Sequence, residues 1–184
     1  MLTTKRLLLR QWKDSDREPF AALNADPRVM EFMPNVLSRE ESDLSADRIQ
    51  SHFVKHGFGL LAAELRATGT FLGFIGLSAP LFQAHFTPCV EIGWRLSVIH
   101  WNLGLATEGA NEALRYGFET LGLTEIVSFT VPGNVASRRV MEKIGMRHNP
   151  ADDFDHPGLP THHPLRRHVL YRLCSTDWKP GEVA

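Results

Sequence analysis

The chain has little cysteine: only Cys89 and Cys174 among 184 residues. Two thiols so distant in sequence form neither a disulfide framework nor a close metal-ligand pair, and each reads as a packing residue. No apolar run is long enough to cross a bilayer, which excludes a helical membrane span. The start, Met1 to Arg6 followed by only Leu7, Leu8 and Leu9, lacks the apolar segment and small-residue cleavage site of a secretory signal, so a cytoplasmic location is expected. Charge of one sign is missing too, with 20 basic against 21 acidic residues and no basic block. A large nucleic-acid footprint is therefore not expected, and small molecules or proteins fit better as partners. There are no internal repeats. Two phosphate-binding signatures are absent, the Gly-Lys-Ser/Thr ending of a Walker loop and the three spaced glycines of a dinucleotide fold.

What remains is a chain with 43% hydrophobic residues, ordinary for one domain with one core. One domain over residues 1–184 is expected, with a core from about 4 to 174 and a short tail over 175–184. Arg6 to Trp12 reads as a strand before a helix cap at Asp14-Ser15-Asp16, and the first helix ends by Asn24. Asp26-Pro27 suggests a short second helix closing at Pro34. Ser38-Arg39-Glu40-Glu41 matches the capping box and opens a polar helix to about His56, stopped by Gly57. Gly59–Leu65 and Thr70–Ser78 read as a hairpin. Cys89 to Leu96 is a further strand, with a bulge expected at Gly93 beside Trp94. Ala106, Ala110, Ala113, Leu114, Gly117, Phe118 and Leu121 share one helical face, opposite Glu108, Glu112, Arg115 and Glu119. Glu125–Val131 is a strand, Asn134 caps a helix to Ile144, and Val169–Cys174 is the last strand. This order predicts helices on a mixed sheet rather than an alternating parallel one.

The most informative segment is Trp101-Asn102-Leu103-Gly104-Leu105-Ala106-Thr107, between a strand-like and a helix-like run. Gly104 and Ala106 keep the turn free of bulk, so the first amides of the following helix can point at a diphosphate with the positive end of the helix dipole behind them. An anionic, nucleotide-like ligand is implied; the bland alternative is a helix that merely begins near a glycine.

Three segments then line up in order: Val90-Glu91-Ile92-Gly93-Trp94-Arg95-Leu96, then Trp101 to Thr107, then Asn134 to Met146. Together they resemble the GNAT acetyltransferases, whose Q/R-x-x-G-x-G/A loop holds the pyrophosphate of acetyl-coenzyme A. Trp101 in the first loop position and Gly104 to Glu108 resemble in particular the Rim-type branch of ribosomal-protein N-terminal acetyltransferases. The Thr4 to Trp12 segment also fits, so the likeness covers most of residues 4–147. It implies a mixed α/β single domain, with a mostly antiparallel sheet splayed at its centre and helices on both faces.

The resemblance also implies roles. Amides around Asn102, Leu103, Gly104, Leu105, Ala106 and Thr107 would hold the diphosphate, with Arg138, Arg139 or Lys143 as candidates for another phosphate and Arg139 preferred. Backbone groups of Trp94 and Leu96 would pair with the pantetheine arm, a ligand taking the place of a strand. A bulge amide near Ile92 or Gly93 would polarise the thioester carbonyl. An amine attacks only when neutral, so a base is needed, and Glu91 is the candidate, its pKa raised by partial burial. Ser137 is the candidate acid for the departing thiolate, with Tyr171 a weaker substitute; Asn134 is a coenzyme contact or a plain helix cap. Each has a structural alternative, such as an ion pair for Glu91 or a solvated helix face for the basic residues.

The expected activity is transfer of an acetyl group from acetyl-coenzyme A to a primary amine in a ternary complex, with a protein N-terminus favoured by the Rim-type likeness. A small amine, an amino acid or an amino-sugar antibiotic, and a non-catalytic acyl-coenzyme A sensor, stay open, as does a homodimer. His148 to Arg167, rich in His, Asp and Pro, is a candidate rim whose Asp152, Asp153 and Asp155 would attract a cationic amine. Its histidines match no standard zinc spacing, so no metal is expected.

Overall fold

The computed structural model describes residues 1–179. Two short strands, β1 (Leu2–Thr3) and β2 (Leu7–Arg10), precede α1 (Arg17–Ala25) and α2 (Arg39–His56); β3 (Leu60–Leu65), β4 (Thr70–Ser78) and β5 (Glu91–Leu96) follow. Then come α3 (Leu105–Arg115), continued by a π-helical turn over Tyr116–Thr120, β6 (Glu125–Thr130), α4 (Val135–Lys143), β7 (Arg147–His148), β8 (Phe154–Asp155) and β9 (Arg167–Cys174).

The strands form one sheet in the order β1-β2-β3-β4-β5-β6-β9-β7, with β8 on β9. Every ladder is antiparallel except β5 against β6, which is parallel and carries a single register pair, Glu91 with Val127. Beyond that pair the two strands diverge. The splayed mixed sheet anticipated from the sequence is the observed architecture.

α3 covers one face of the sheet through Leu105, Gly109, Ala110, Ala113 and Leu114, all buried. Gly109 is required there: a Cβ would lie 2.4 Å from Ile75 Cδ1 on β4, so the helix sits closer than any larger residue allows. The other face is covered by α1 and α2, where Phe20, Leu23 and Ala46 pack against Phe74. The alternation of Phe74 and Ile75 thus divides the protein into two layers.

Several local expectations hold for visible reasons. Ser38 Oγ accepts from the Glu41 amide at 3.2 Å while Glu41 Oε2 accepts from the Ser38 amide at 2.8 Å, and Gly57 ends α2 at φ 76°. The expected helix from Asp26 to Pro34 is instead a run of turns. The Asp26 side chain takes the Arg28 amide at 2.9 Å, a local bond that competes with helix formation. The expected bulge at Gly93 is absent, because the β4–β5 register runs unbroken from Ser78↔Glu91 to Gly73↔Leu96. The irregularity lies one ladder away, at Ala63/Glu64 between β3 and β4. There Gly73 adopts φ 135° with its missing Cβ 2.0 Å from the Arg95 carbonyl.

Of the expected tail, residues 180–184 lie outside the described chain; Trp178 packs on Phe118 with ring centroids 5.3 Å apart. Among the described residues no helix is long and apolar enough to cross a membrane.

Candidate active site

The divergence of β5 from β6 creates the site. At its apex the Val127 amide donates to the Val90 carbonyl at 2.9 Å, and the Ser128 hydroxyl donates to the Ile92 carbonyl at 2.9 Å. Backbone groups alternate sides along a strand, so those of Ile92, Trp94 and Leu96 face the gap while those of Glu91, Gly93 and Arg95 pair with β4. The main chain of Trp94, expected to pair with an inserted arm, is therefore turned to the gap rather than to β4. Leu96 differs in part, because its carbonyl already accepts from Trp101 Nε1 at 2.7 Å.

The loop after β5 has the shape expected of a cradle. Asn102 and Gly104 adopt left-handed φ of 58° and 75°, and Gly104 caps α3 without offering a side chain. The amides of Leu105, Ala106 and Thr107, in the first turn of α3, have no carbonyl a turn earlier to receive them. Free amides at a helix start are the kind of group that can receive an anion. Trp101 and Leu103 are 40% and 53% exposed, unusual for large apolar groups and suited to a surface that meets a ligand.

A residue not singled out from the sequence supports this loop. Arg6 Nη1 donates to the Leu103 carbonyl at 2.8 Å, and its other terminal nitrogen lies beside the Cβ position of Gly104, at 3.5 Å. Glu108, in the first turn of α3, anchors Arg6 by accepting from its Nε at 2.6 Å and its amide at 2.7 Å, and takes the Thr4 hydroxyl at 2.6 Å. Pairing across so long a sequence interval leaves no local signal.

Behind the apex lies a cavity of about 210 Å³, lined by Glu91, Trp94, Arg95, Asn134 and Ser137 among others. Glu91 and Ser137 thus share one cavity. The Glu91 carboxyl opens on it but is otherwise enclosed by protein, with Ser78 Oγ as its hydrogen-bond donor at 3.5 Å. Burial pushes this carboxyl up to about 8, and the Ser78 contact only partly opposes it. No cation pairs with Glu91 among the described residues, so the ion-pair alternative is not realised.

Asn134 Oδ1 accepts from the Ser137 amide at 3.1 Å and its Nδ2 donates to Thr130 Oγ1 at 3.1 Å, so the cap and the cavity wall are the same side chain. The candidate basic residues separate. Arg138 is committed to the Tyr171 hydroxyl and the Pro132 carbonyl at 3.3 and 3.1 Å, whereas Arg139 projects from the exposed side of α4. Tyr171 is withdrawn as a substitute acid: only 2% exposed, it donates to Glu142 Oε1 at 2.9 Å and does not line the cavity.

The His148 to Arg167 stretch is also corrected. It contributes no lining residue and its aspartates are occupied, Asp152 by Arg172, Asp153 by His148, and Asp155 by Arg166 and Arg167. His156 and His168 pack with Phe129 and Phe154, where burial holds both imidazoles below their usual range. The stretch therefore buttresses Phe129, which does line the cavity.

Comparison with known proteins agrees with this geometry. The acetyltransferase (GNAT) domain family matches residues 6–147. An N-acetyltransferase of uncharacterised role from Bacillus subtilis, YnaD, is 31% identical over 182 residues, spanning 96% of this chain and 98% of that protein. The FsC-acetyl coenzyme A-N(2)-transacetylase of Aspergillus fumigatus is 33% identical over 156 residues, 80% of this chain and 65% of that one. The crystal structure of a GNAT-family acetyltransferase from Bacillus anthracis superposes with a TM-score of 0.78 at 26% identity, covering 95% of this chain and 98% of the other.

Proposed function

The chain belongs to the GNAT acetyltransferase family, and from that premise we propose that it moves an acetyl group from acetyl-coenzyme A directly to a primary amine held in the same cavity. The observation that carries this reading is the divergence of β5 from β6 after a single register pair, with both Glu91 and Ser137 lining the cavity there and the α3 that follows β5 starting without a side-chain cap.

The coenzyme supplies an activated acyl thioester; the chain supplies position and proton management. The Asn102 to Thr107 amides and Arg6 seat the diphosphate, the Trp94 main chain aligns the arm, and Ser128 closes the apex so that the arm stops there. Glu91 takes the proton of the incoming ammonium, directly or through one water, because its raised pKa matches a proton acceptor working near neutral pH. Ser137, which lines the cavity from the first turn of α4, donates to the departing sulfur. Neither cysteine serves as an acyl carrier: burial pushes the Cys89 thiol up to about 11, and Cys174 borders the Glu125 carboxylate rather than an imidazole or a cation that would favour a thiolate.

The Rim-type branch, and with it a protein N-terminus, rests on the Trp101 and Gly104 to Glu108 pattern alone. The fungal relative is named for an N(2)-transacetylase activity, which the Rim-type pattern does not anticipate, and the acceptor we propose is a small amine. Calorimetric titration with acetyl-coenzyme A, coenzyme A and ATP, followed by thiol release with a panel of small amines and peptides, tests it. Selective coenzyme binding with acceptor-dependent release is expected; binding without release on any acceptor would favour a sensor, and no coenzyme binding would end the proposal.

A further inference from the structure

Arg95 belongs to no part of the chemistry above, yet its setting is elaborate. Its Nη1 donates to Asn24 Oδ1 at 2.7 Å, and its Nη2 has only the weakly accepting sulfur of Met33, at 3.4 Å. The Asn24 oxygen is turned toward Arg95 because its Nδ2 donates to Ser42 Oγ at 2.9 Å. Asn24 and Ser42 are both fully buried. A polar chain from α2 through α1 to β5 therefore exists to hold one guanidinium at the cavity wall.

No carboxylate lies within ion-pair distance of it among the described residues, and burial alone lowers its pKa to about 10. A cation withdrawn from water without a counter-charge is costly. Glu91 does not supply that charge: it lies four residues away on the strand, roughly 13 Å between Cα atoms at the usual rise.

Placement separates Arg95 from the coenzyme seat. It stands across from Phe74, its Cζ 5.4 Å from that ring, on the α1–α2 face, whereas α3 and its cradle lie against Ile75 on the opposite face. Glu91 and Gly93 share the Arg95 face, and a Cβ at Gly93 would meet nothing nearer than Leu60 at 4.0 Å. Open space therefore lies on this side, between Glu91 and Arg95.

We propose that Arg95 binds an oxyanion carried by the acceptor, so that the substrate is a small amine bearing a carboxylate or phosphate, its amine toward Glu91 and its acid group on the guanidinium. The planar fork of arginine suits both anions. This rests on the transferase reading for the fate of the amine, though not for anion binding itself.

The test uses matched pairs at constant ionic strength on coenzyme-loaded protein: the common amino acids against their amides, and phosphoethanolamine against ethanolamine. Calorimetry and thermal melting are expected to show an acid-bearing member binding at least tenfold more tightly than its neutral twin. Arg95→Gln should abolish that preference while leaving coenzyme affinity within twofold, and Arg95→Lys should restore part of it. Preference within the amino acid pairs assigns a carboxylate, and preference within the phosphoethanolamine pair a phosphate. A wild type that treats every acid and its twin alike, or a preference that survives Arg95→Gln, overturns the proposal. Should Arg95→Gln not fold, the wild-type comparison and Arg95→Lys decide the question. Failure of coenzyme binding would strike the transferase reading alone, since the pairs can then be read on the free protein.

Discussion

The Ser128 hydroxyl donates to the Ile92 carbonyl at 2.9 Å, and this bond stands where β5 and β6 cease to pair. It satisfies a carbonyl that the splaying would otherwise leave buried and alone. Ser128 is 2% exposed, so Ser128→Ala should cost about 1–3 kcal/mol, the usual penalty for stranding a buried acceptor. Chemical denaturation would show this as a lower midpoint with an unchanged slope.

Trp101 performs the matching task at the far end of the gap, where its indole holds the Leu96 carbonyl at 2.7 Å. Trp101→Phe keeps most of the apolar ring and removes the donor. The loop then loses a bond worth about 1 kcal/mol, and coenzyme affinity by calorimetry should fall by roughly fivefold. An unchanged affinity would mean that the loop is set by Arg6 and Asn102 alone.

In the proposed role of base, Glu91 would link catalysis to stability. Its carboxyl is held up to about 8 by burial, so the proton-accepting form grows as pH rises through that value, and kcat/KM should climb with pH toward a plateau above it. Glu91→Gln should lower kcat by about 10²–10⁴, the span of general-base effects, with coenzyme affinity unchanged. A raised folded-state pKa also means that the folded protein binds the proton more tightly than the unfolded one. Stability is then greatest below the unfolded pKa and declines as pH rises through the folded value. Glu91→Gln should therefore melt higher than wild type at pH 8, with the difference vanishing near pH 4.

Much of this was legible in the sequence, and the boundary follows a physical line. The Ser38 box, the Asn134 cap, the Gly104 turn and the alanine face of α3 depend on residues within a few positions of one another, so spacing carried them. Glu91 and Ser137 were singled out because their segments resemble a known order of motifs, and the structure adds that both line one cavity. Arg6, Ser78 and Ser128 were missed because their partners lie on other strands or helices. The Gly93 bulge was misplaced because a glycine's permissive backbone says that a distortion is tolerated, not which ladder receives it. Arg95 was read only as part of a motif, since its significance is the lack of a nearby carboxylate, which no sequence displays.

The Arg10–Asp16 pair tests how the N-terminal segment is fixed. Asp16 receives Arg10 in a fork, Nη1 at 2.7 Å and Nη2 at 2.8 Å, while Arg10 Nε donates to Glu64 at 2.7 Å. Arg10 and Asp16 are 8% and 2% exposed. Burial pushes the Asp16 carboxyl up, but the bonds from Arg10 and from the Lys13 amide outweigh it and leave the pKa below the usual carboxylate value. Its stabilising contribution is present above the unfolded pKa and lost as pH falls through the lower folded value. Asp16→Asn should cost about 3–5 kcal/mol near neutrality, because it leaves a buried guanidinium with only Glu64 to balance it. The cost should shrink toward pH 2 as wild-type Asp16 becomes protonated. Paired denaturation curves at pH 7 and pH 3 would check this, and a gap between wild type and variant that stayed constant with pH would mean that shape, not charge, holds β2 to α1.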